Sequence, residues 1–282
     1  MIAVLGAGGQ LGTAFIRLLD GDAVPLTRAD IDLTRPEEIE PWIASNRPEL
    51  VINCAAYTAV DAAEEHESTA RLVNATAVGY LAESTARRGA GLVTFSTDYV
   101  FDGTKDSGYF ESDPPHPLNV YGETKLEGEQ LAMEKHPGVL VIRTSWVLSG
   151  THRNFASSML ELIAKGPVRV VNDQRGKPTL VDDLAAATME AVQREASGVV
   201  HLTNQGETTW FGLARDIAEF SGLDPDHVMP ITTDQFPRPA ARPTNSVLDS
   251  ERLDELSLDP LPHYRPSLRR AVEQLLSTGR PL

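Results

Sequence analysis

The chain has 282 residues and a mass of 30.6 kDa, with 41% hydrophobic and 23% charged residues. This length and balance are typical of a globular protein with one large α/β core, or of a main domain with a smaller second lobe. Forty acidic and twenty-five basic residues give a formal charge of −15, which argues against binding to nucleic acid or to anionic lipid. An anionic ligand therefore needs a local cationic pocket.

The cysteine content and the apolar runs indicate a cytoplasmic protein. Cys54 is the single cysteine, so no intrachain disulfide can form, and the first predicted strand begins at Met1 with no charged leader. Every apolar run is interrupted by charge well short of the roughly 20 residues that cross a bilayer, so we expect no membrane span. Cys54 lies in a predicted strand without cationic neighbours in sequence, which favours a buried, inert thiol over a nucleophile.

The first half of the chain alternates short apolar runs with amphipathic stretches. Predicted strands cover residues 1–5, 23–26, 50–54, 91–95 and 139–142, and predicted helices cover residues 11–19, 69–88 and 121–135. Strands that read as continuous apolar runs are buried on both faces and belong to parallel sheets covered by helices. We therefore predict an α/β fold with a doubly wound parallel Rossmann sheet, whose ligands bind beyond the carboxyl ends of the strands.

The alternation loosens after about residue 151, where proline and glycine become more frequent. Short strands are predicted at 168–171 and 199–202, and we assign both to a smaller lobe over the ligand crevice. The predicted division is a Rossmann domain at 1–150 and a smaller C-terminal lobe at 151–282, with a helix near 182–194 that could return to the sheet. Three prolines predict an extended loop at 236–243, which carries Arg238 and Arg242.

The first strand runs into a glycine-rich turn with Gly6, Gly9 and Gly12, and an apolar-periodic helix follows. Glycine permits positive φ and lets the backbone approach a pyrophosphate, while the helix start presents free N–H groups. The alternative is a plain tight turn. The strand–turn–helix context favours dinucleotide binding, and this glycine spacing is similar to that of extended short-chain reductases. Gln10 and Leu11 lie within the same segment.

The second and third strands end next to further candidate cofactor residues. An acidic residue about 20 positions past the turn typically binds the ribose 2′-hydroxyl of NAD, and an arginine there favours the 2′-phosphate of NADP. Arg28 lies near the position of that acidic residue, which favours NADPH over NADH as the cofactor. The alternative for Arg28 is a solvated surface residue without a role in binding. Asp32 either caps the next helix or contacts the adenine. Ala55 and Ala56 leave room for a nucleotide.

Two segments carry residues suited to ketone reduction. Tyr121 and Lys125 are four residues apart at a predicted helix start, so they share one face, and a nearby cation favours the phenolate form of tyrosine. We therefore expect Lys125 to bring the pKa of Tyr121 closer to neutral, as suits a proton donor. Thr97 follows the fourth strand and can hold a carbonyl oxygen through its hydroxyl. A tyrosine and a lysine at this spacing also arise by chance in many helices.

Taken together, these motifs resemble those of a known family. The similarity runs nearly end to end and rests on residues 6–12, 51–61, 96–103, 119–129, 143–147, 154–155, 173–179 and 242–246. In these segments the chain is similar to the dTDP-4-dehydrorhamnose reductases of the extended short-chain dehydrogenase/reductase superfamily. The resemblance implies NADPH-dependent reduction of the 4-keto group of dTDP-4-dehydro-L-rhamnose to dTDP-L-rhamnose. It makes 1–150 the NADP-binding domain and 151–282 mainly the substrate-binding lobe.

The resemblance also implies roles for individual residues. The catalytic set is Thr97, Tyr121 and Lys125. The residues expected to contact the cofactor are Gly6, Gly9, Gln10, Leu11, Gly12, Arg28, Asp32, Leu33, Ala55, Ala56, Tyr57, Tyr121 and Lys125. The residues expected to contact the dTDP-sugar are Thr97, Asp98, Tyr99 and Trp146, and we add Arg238 and Arg242 for the diphosphate. The alternative for Trp146 is that it is an aromatic residue of the core. The alternative for Arg238 and Arg242 is that they are ordinary loop arginines without a ligand.

Some members of the family bind magnesium at a dimer interface through acidic residues. One of those acidic positions, on the helix after the glycine turn, is Ala14 here, and alanine cannot ligate a hard cation. Asp182 and Asp183 fall near a second such position, but two acids at a helix start are more simply caps and dipole partners. We therefore expect no metal. A homodimer is compatible with the sequence, in which no feature fixes the oligomeric state.

Two other functions fit the same motifs. One is a different sugar-nucleotide enzyme of this fold, such as an epimerase or dehydratase that keeps its cofactor bound. The other is a non-catalytic NADP-binding regulatory subunit, because the beta subunit of eukaryotic methionine adenosyltransferase resembles these reductases. The presence of Thr97, Tyr121 and Lys125 favours catalysis.

Overall fold

The molecule is built around a parallel sheet with helices on both of its faces. The structure is a computed structural model and describes residues 1–277. Its strands, in chain order, are β1 (Ile2–Leu5), β2 (Ala23–Leu26), β3 (Leu50–Asn53), β4 (Gly91–Thr97), β5 (Leu140–Thr144), β6 (Val147–Leu148), β7 (Val168–Val171), β8 (Arg175–Gly176), β9 (Thr179–Leu180), β10 (Gly198–His201), β11 (Thr208–Thr209) and β12 (Val228–Ile231). Its α-helices are α1 (Gln10–Leu19), α2 (Ile39–Asn46), α3 (Val60–Glu65), α4 (Glu67–Arg71), α5 (Ala77–Ala86), α6 (Val120–Lys135), α7 (Phe155–Ile163), α8 (Val181–Gln193), α9 (Trp210–Ser221), α10 (Arg252–Glu255) and α11 (Tyr264–Ser277).

The central sheet has the strand order β10-β5-β4-β3-β1-β2, and all of its strands are parallel. The order reverses at β1, with β2 on one side and β3, β4 and β5 on the other. Ligands of doubly wound sheets bind at such a switch point, beyond the carboxyl ends of the strands. The predicted doubly wound Rossmann sheet is confirmed.

Apolar side chains of the strands pack against helices on both faces of the sheet. On one face α1 and α8 contact each other, and Phe15 and Leu184 are buried there with Ile52 of β3. On the other face α2 packs on α5 and α5 packs on α6, and Leu81 is buried with Val51. Successive residues of a strand point to opposite faces, so a strand covered on both faces must be apolar throughout. This is the physical reason for the continuous apolar runs in the sequence.

The strand predicted at 199–202 is a member of the central sheet, so its assignment to the smaller lobe is wrong. β10 pairs with β5 in parallel, with Val199 beside Val141 and His201 beside Arg143. The helix predicted at 182–194 is α8, which packs on α1 and therefore does return to the sheet. A strand of four residues carries no local signal of the sheet it joins, because pairing depends on distant packing partners.

The smaller lobe contains its own apolar core, to which α7, α9 and α11 each contribute a fully buried leucine, namely Leu160, Leu213 and Leu268. β7 and β12 form a parallel pair beside these helices. Residues 236–243 form neither helix nor strand, as predicted. Residues 278–282 of the predicted lobe lie outside the described residues. Within residues 1–277, no helix is both long and apolar enough to cross a membrane.

Candidate active site

A glycine-rich turn joins β1 to α1 at the point where the strand order reverses. Gly6 has a φ of 71°, and a Cβ on Gly12 would lie 2.2 Å from the Gly6 carbonyl oxygen. Side chains at these two positions would therefore force the turn to move. The Gly9 N–H donates to the Gly6 carbonyl at 2.9 Å, and α1 begins at Gln10 without a side-chain cap. Free N–H groups at such a helix start can bind a phosphate.

A cavity of about 270 Å³ lies at the carboxyl ends of β1 and β3. It is lined by seven of the residues predicted to contact the cofactor, namely Gly6, Arg28, Asp32, Leu33, Ala55, Ala56 and Tyr57. Ile31, Thr69 and Val73 also line it and carry no signal in the sequence that predicts a cofactor contact. Of the other six predicted contacts, four lie on the glycine-rich turn and the first turn of α1 and two lie on α6: Gly9, Gln10, Leu11 and Gly12, and Tyr121 and Lys125. We call this space the turn cavity.

Arg28 stands at the rim of the turn cavity with 77% of its side chain exposed. Its Nε lies 3.3 Å from Asp32 Oδ2. The other oxygen of Asp32 accepts hydrogen bonds from the Thr34 N–H at 2.9 Å and the Thr34 hydroxyl at 2.8 Å, and these bonds lower the pKa of Asp32. Asp32 therefore caps a local turn and holds Arg28, whose remaining N–H groups are free to bind an anion.

Replacing Arg28 with aspartate is expected to lower the ratio of NADPH to NADH efficiency by at least about tenfold. The 2′-phosphate of NADPH would lose a charge-assisted hydrogen bond from Arg28 and would meet a like charge. The ratio of kcat/KM for the two cofactors measures this. Arg35→Asp is the matched control, since Arg35 also lies near Asp32, at 3.9 Å, but does not line the turn cavity. If the NADPH to NADH ratio were equal in the two variants, Arg28 would not determine which cofactor the protein prefers.

The three residues predicted to be catalytic meet at the carboxyl end of β4. Thr97 is the last residue of β4, and Tyr121 lies in the first turn of α6, which Asn119 caps by accepting from the Gly122 N–H at 2.8 Å. The Thr97 hydroxyl acts on the Tyr121 phenol and lowers its pKa, although burial has a larger and opposite effect. One turn further along α6, the Lys125 ammonium donates to the Phe95 carbonyl oxygen at 2.5 Å. The cap thus fixes where the helix starts, and the helix places both side chains against β4.

The prediction that Lys125 brings the pKa of Tyr121 closer to neutral is wrong. Burial raises the pKa of Tyr121 to about 12, and the negative charge of Asp98 acts in the same direction. Burial also lowers the pKa of Lys125 to about 8, and its ammonium is directed at the Phe95 carbonyl oxygen. Desolvation therefore decides the direction of both pKa shifts. At neutral pH the phenol is protonated, which is the state that a proton donor requires.

Asp98 and Tyr99 follow Thr97 in a short 3-10 turn. The Asp98 carboxylate accepts from the Thr97 hydroxyl at 3.0 Å, and burial raises the pKa of Asp98 to about 6. The Tyr99 ring packs edge-on against the Tyr121 ring with 5.9 Å between centroids. Tyr99 also lines a second and larger space, so this aromatic pair connects the catalytic residues to it.

This second space is a cavity of about 800 Å³ in the smaller lobe, and we call it the lobe cavity. Its walls include the aromatic side chains of Phe155, Trp210 and Phe236 and the guanidinium groups of Arg238 and Arg242. Aromatic faces can stack on a planar base, while guanidinium groups bind phosphate oxygens. The lobe cavity therefore combines the two kinds of group that a nucleoside diphosphate needs.

Both arginines are held by Asp61 of α3. The carboxylate of Asp61 accepts from Arg238 Nε at 2.9 Å and Nη2 at 2.5 Å, and its other oxygen accepts from Arg242 Nη1. Burial alone would raise the pKa of Asp61, but the hydrogen bonds from Arg242, Arg238 and the Ala240 N–H outweigh it and hold the pKa at about 2. The side chain of Arg242 is 14% exposed and that of Arg238 is 48% exposed. Arg242 is thus the better fixed of the two.

Trp146 is buried beneath the lobe cavity. Its ring stacks on Trp210 with 3.7 Å between centroids and 10° between planes, and it covers Gly176 so closely that a Cβ there would lie 2.5 Å from the ring. Its φ of 47° is in the left-handed region, which costs free energy for a residue with a side chain. The tight packing overcomes that cost, so the indole supports the Trp210 face that lines the cavity.

A family model described as "RmlD substrate binding domain" matches residues 1–277. A dTDP-4-dehydrorhamnose reductase of Burkholderia thailandensis is 42% identical, over 98% of this chain and 99% of its own. The chain belongs to the dTDP-4-dehydrorhamnose reductase family. The predicted family and enzyme class, an oxidoreductase, are therefore confirmed.

Two further relatives of this reductase bear on its ligands. One from Streptomyces antibioticus, named as a probable dTDP-4,6-dihydroxy-2-methyloxan-3-one 4-ketoreductase, is 41% identical over 99% of this chain and 96% of its own. The structure of a dTDP-4-dehydrorhamnose reductase from Bacillus anthracis in complex with NADP matches with a TM-score of 0.91 and 32% identity, over 98% of each chain. The cofactor of that relative agrees with the predicted one.

Two parts of the reductase site were missed in the sequence. Asn74 is buried and exchanges hydrogen bonds with the Tyr57 backbone at 2.8 and 3.1 Å, which fixes a wall of the turn cavity. The loop before α7 covers the glycine-rich turn: Gln10 Oε1 accepts from Asn154 Nδ2 at 2.9 Å, and His152 Nε2 lies 3.2 Å from the Gly8 carbonyl oxygen. Local patterns could not reveal these contacts, which join residues 17 and 144 positions apart.

The acidic residues near the metal positions of some family members are engaged with other groups in this reductase. Asp182 forms an ion pair with Arg17, and Asp183 accepts from Asn204 Nδ2 at 2.7 Å. Ala14 is buried under α8. Among residues 1–277, no group of three or more histidine, cysteine, aspartate or glutamate side chains is arranged to hold a metal ion. Burial raises the pKa of the Cys54 thiol, which keeps it protonated and unreactive.

Proposed function

We propose that this reductase uses NADPH to reduce the 4-keto group of dTDP-4-dehydro-L-rhamnose, with Tyr121 as the proton donor. One observation carries the proposal. Thr97, Tyr121 and Lys125 converge at the end of β4, and the Tyr121 ring packs on Tyr99, which lines the lobe cavity. The turn cavity lies at the carboxyl ends of β1 and β3 in the same sheet. A hydride donor and a nucleotide-linked sugar can therefore meet at these three residues.

The chemistry expected of the chain follows from this arrangement. Bound NADPH supplies a hydride to the carbonyl carbon. The Tyr121 phenol, protonated at neutral pH, donates its proton to the oxygen, and the Thr97 hydroxyl can donate a hydrogen bond to that same oxygen. The Lys125 ammonium stabilises the phenolate that results, because an opposite charge nearby favours the ionised form.

The lobe cavity supports the substrate assignment. Arg242 and Arg238 face it with their charges partly balanced by Asp61, and they supply the local cationic pocket that an otherwise acidic chain needs for a diphosphate. Aromatic walls at Phe155 and Trp210 suit a planar base. These features favour a nucleoside diphosphate sugar over a small keto compound.

The proposal is tested by following NADPH absorbance with purified protein and dTDP-4-dehydro-L-rhamnose made by the preceding enzymes. The expected result is substrate-dependent oxidation of NADPH. A second dTDP-4-keto sugar, the dTDP-4,6-dihydroxy-2-methyloxan-3-one named for the Streptomyces relative, is assayed in parallel. Loss of absorbance with that sugar alone would keep the reduction and change the substrate, and no loss with either sugar would overturn the proposal.

A further inference from the structure

A third ionisable residue lies on the same face of α6 as Tyr121 and Lys125. Glu129 follows Lys125 by one helical turn and is 2% exposed. Its carboxylate accepts two hydrogen bonds from Arg143 of β5, from Nε at 2.9 Å and from Nη2 at 2.7 Å. This is a bidentate ion pair inside the protein, one helical turn from the proposed catalytic lysine.

Arg143 is itself fixed relative to Lys125 through the sheet. β5 pairs with β4 so that Arg143 lies beside Ser96, the residue after Phe95. The Phe95 carbonyl oxygen accepts the hydrogen bond from Lys125. The Lys125–Phe95 and Glu129–Arg143 contacts therefore lie side by side across α6, β4 and β5. Burying such a pair seldom adds stability over apolar residues of similar size, which points to a role other than folding.

We propose that Glu129, clamped by Arg143, is a positioning residue that keeps the positive charge on Lys125 in the active site. The proposal rests on the proposed function, in which Lys125 acts as a cation. Burial favours the neutral amine and lowers the pKa of Lys125 to about 8, while the Glu129 carboxylate opposes this change. Arg143 stops the carboxylate from turning away, because both of its oxygens already accept charged N–H groups.

Few other charged groups near Lys125 could replace the Glu129 carboxylate in stabilising the positive charge of the lysine. From β10, His201 Nε2 lies 3.5 Å from Arg143 Nη1, and burial lowers the pKa of His201. Glu111 accepts a hydrogen bond from the His201 backbone N–H at 2.8 Å. Asp98 acts on the phenol of Tyr121 rather than on Lys125. The charged residues of the helices packed on α6 contact it elsewhere, with Arg71 at Glu127, Glu83 at Lys135 and Glu64 at the Val120 N–H.

The direct test is to titrate Lys125 by ¹³C NMR in the full chain labelled at the lysine Cε atoms. The chain has five lysines, and Lys125→Met identifies the signal. In Glu129→Gln the midpoint of the Lys125 titration is expected to move down by about one pH unit, because an opposite charge close to the ammonium is removed. In turnover assays the loss of kcat as pH rises should shift to lower pH by the same amount, with little change in KM.

Three further variants make the result decisive. Glu127→Gln removes the same charge from the outer face of α6, where Glu127 pairs with Arg71, and should leave the midpoint unchanged. Glu129→Asp keeps the carboxylate and should restore most of the shift. Glu129→Gln/Arg143→Gln avoids a buried unpaired guanidinium and should show the same downward shift if the single variant does not fold.

Each outcome has a defined meaning. The proposal would be overturned if the Lys125 midpoint in the Glu129→Gln variants equalled the midpoint in Glu127→Gln. It would also be overturned if both Glu129→Gln variants failed to fold while Glu129→Asp titrated like the parent chain, since Glu129 would then be structural. Full turnover by Lys125→Met would instead defeat the role of Lys125 in the proposed function. The NMR result would stand in that case, so the two failures can be told apart.

Discussion

Replacing Tyr121 with phenylalanine is expected to lower kcat by roughly 10²–10⁴-fold, the usual contribution of a positioned acid or base. Burial keeps the phenol protonated at neutral pH, so it can donate a proton to the carbonyl oxygen, and phenylalanine has no group that could do so. Phenylalanine keeps the ring that packs on Tyr99 and removes only the hydroxyl. Substrate and cofactor affinities should therefore change little.

The measurement is kcat from NADPH absorbance, with NADPH affinity determined separately by fluorescence titration. Tyr80→Phe is the matched control, because Tyr80 is 41% exposed on α5 and lines neither the turn cavity nor the lobe cavity. If Tyr121→Phe turned over as fast as Tyr80→Phe, Tyr121 could not be the proton donor. A large loss of NADPH affinity in Tyr121→Phe would show instead that the phenol serves mainly to bind the cofactor.

Replacing Arg242 with alanine is expected to raise KM for the dTDP-sugar by roughly 10–100-fold with a much smaller change in kcat, since a charge-assisted hydrogen bond to a phosphate is worth about 1.5–3 kcal/mol. Arg242 is held by Asp61 and by the Ala240 carbonyl oxygen, so its guanidinium is already oriented before substrate binds. Arg238 is more exposed, and Arg238→Ala should raise KM less.

Initial rates at varied substrate and saturating NADPH give this KM. Arg215→Ala serves as a control for the loss of one positive charge, because Arg215 pairs with the exposed Asp226 and does not line either cavity. Arg242→Lys should fall between the parent and Arg242→Ala, since lysine keeps the charge but not the forked donor geometry. Equal KM values for Arg242→Ala and Arg215→Ala would show that the diphosphate binds elsewhere.

Much of the fold and part of the site follow from local sequence patterns. The continuous apolar runs predict buried parallel strands, and the glycine spacing predicts the turn between β1 and α1. The four-residue separation of Tyr121 and Lys125 places both on one helix face, as found in α6. Each of these signals lies within a few residues of chain, where backbone geometry alone sets the outcome.

Contacts between distant residues could not be predicted in this way. Asp61 and its two arginines are 177 and 181 positions apart, and only the folded chain brings them together. The pKa of Tyr121 was predicted with the wrong sign because helix spacing shows that Lys125 is near but not how deeply both side chains are buried. Burial is a property of the whole fold, and here it decides the direction of the pKa shift.

The course of β10 and α8 bears on how this molecule could be divided. The chain leaves the sheet after β5, returns as α8 and β10, and leaves again to complete the smaller lobe. A fragment that ended near residue 150 would expose the whole edge of β5 and uncover the apolar side of α1 around Phe15. Such a fragment would be prone to aggregate. The smaller lobe is therefore an excursion of the Rossmann chain, and it cannot be removed or exchanged by a single cut.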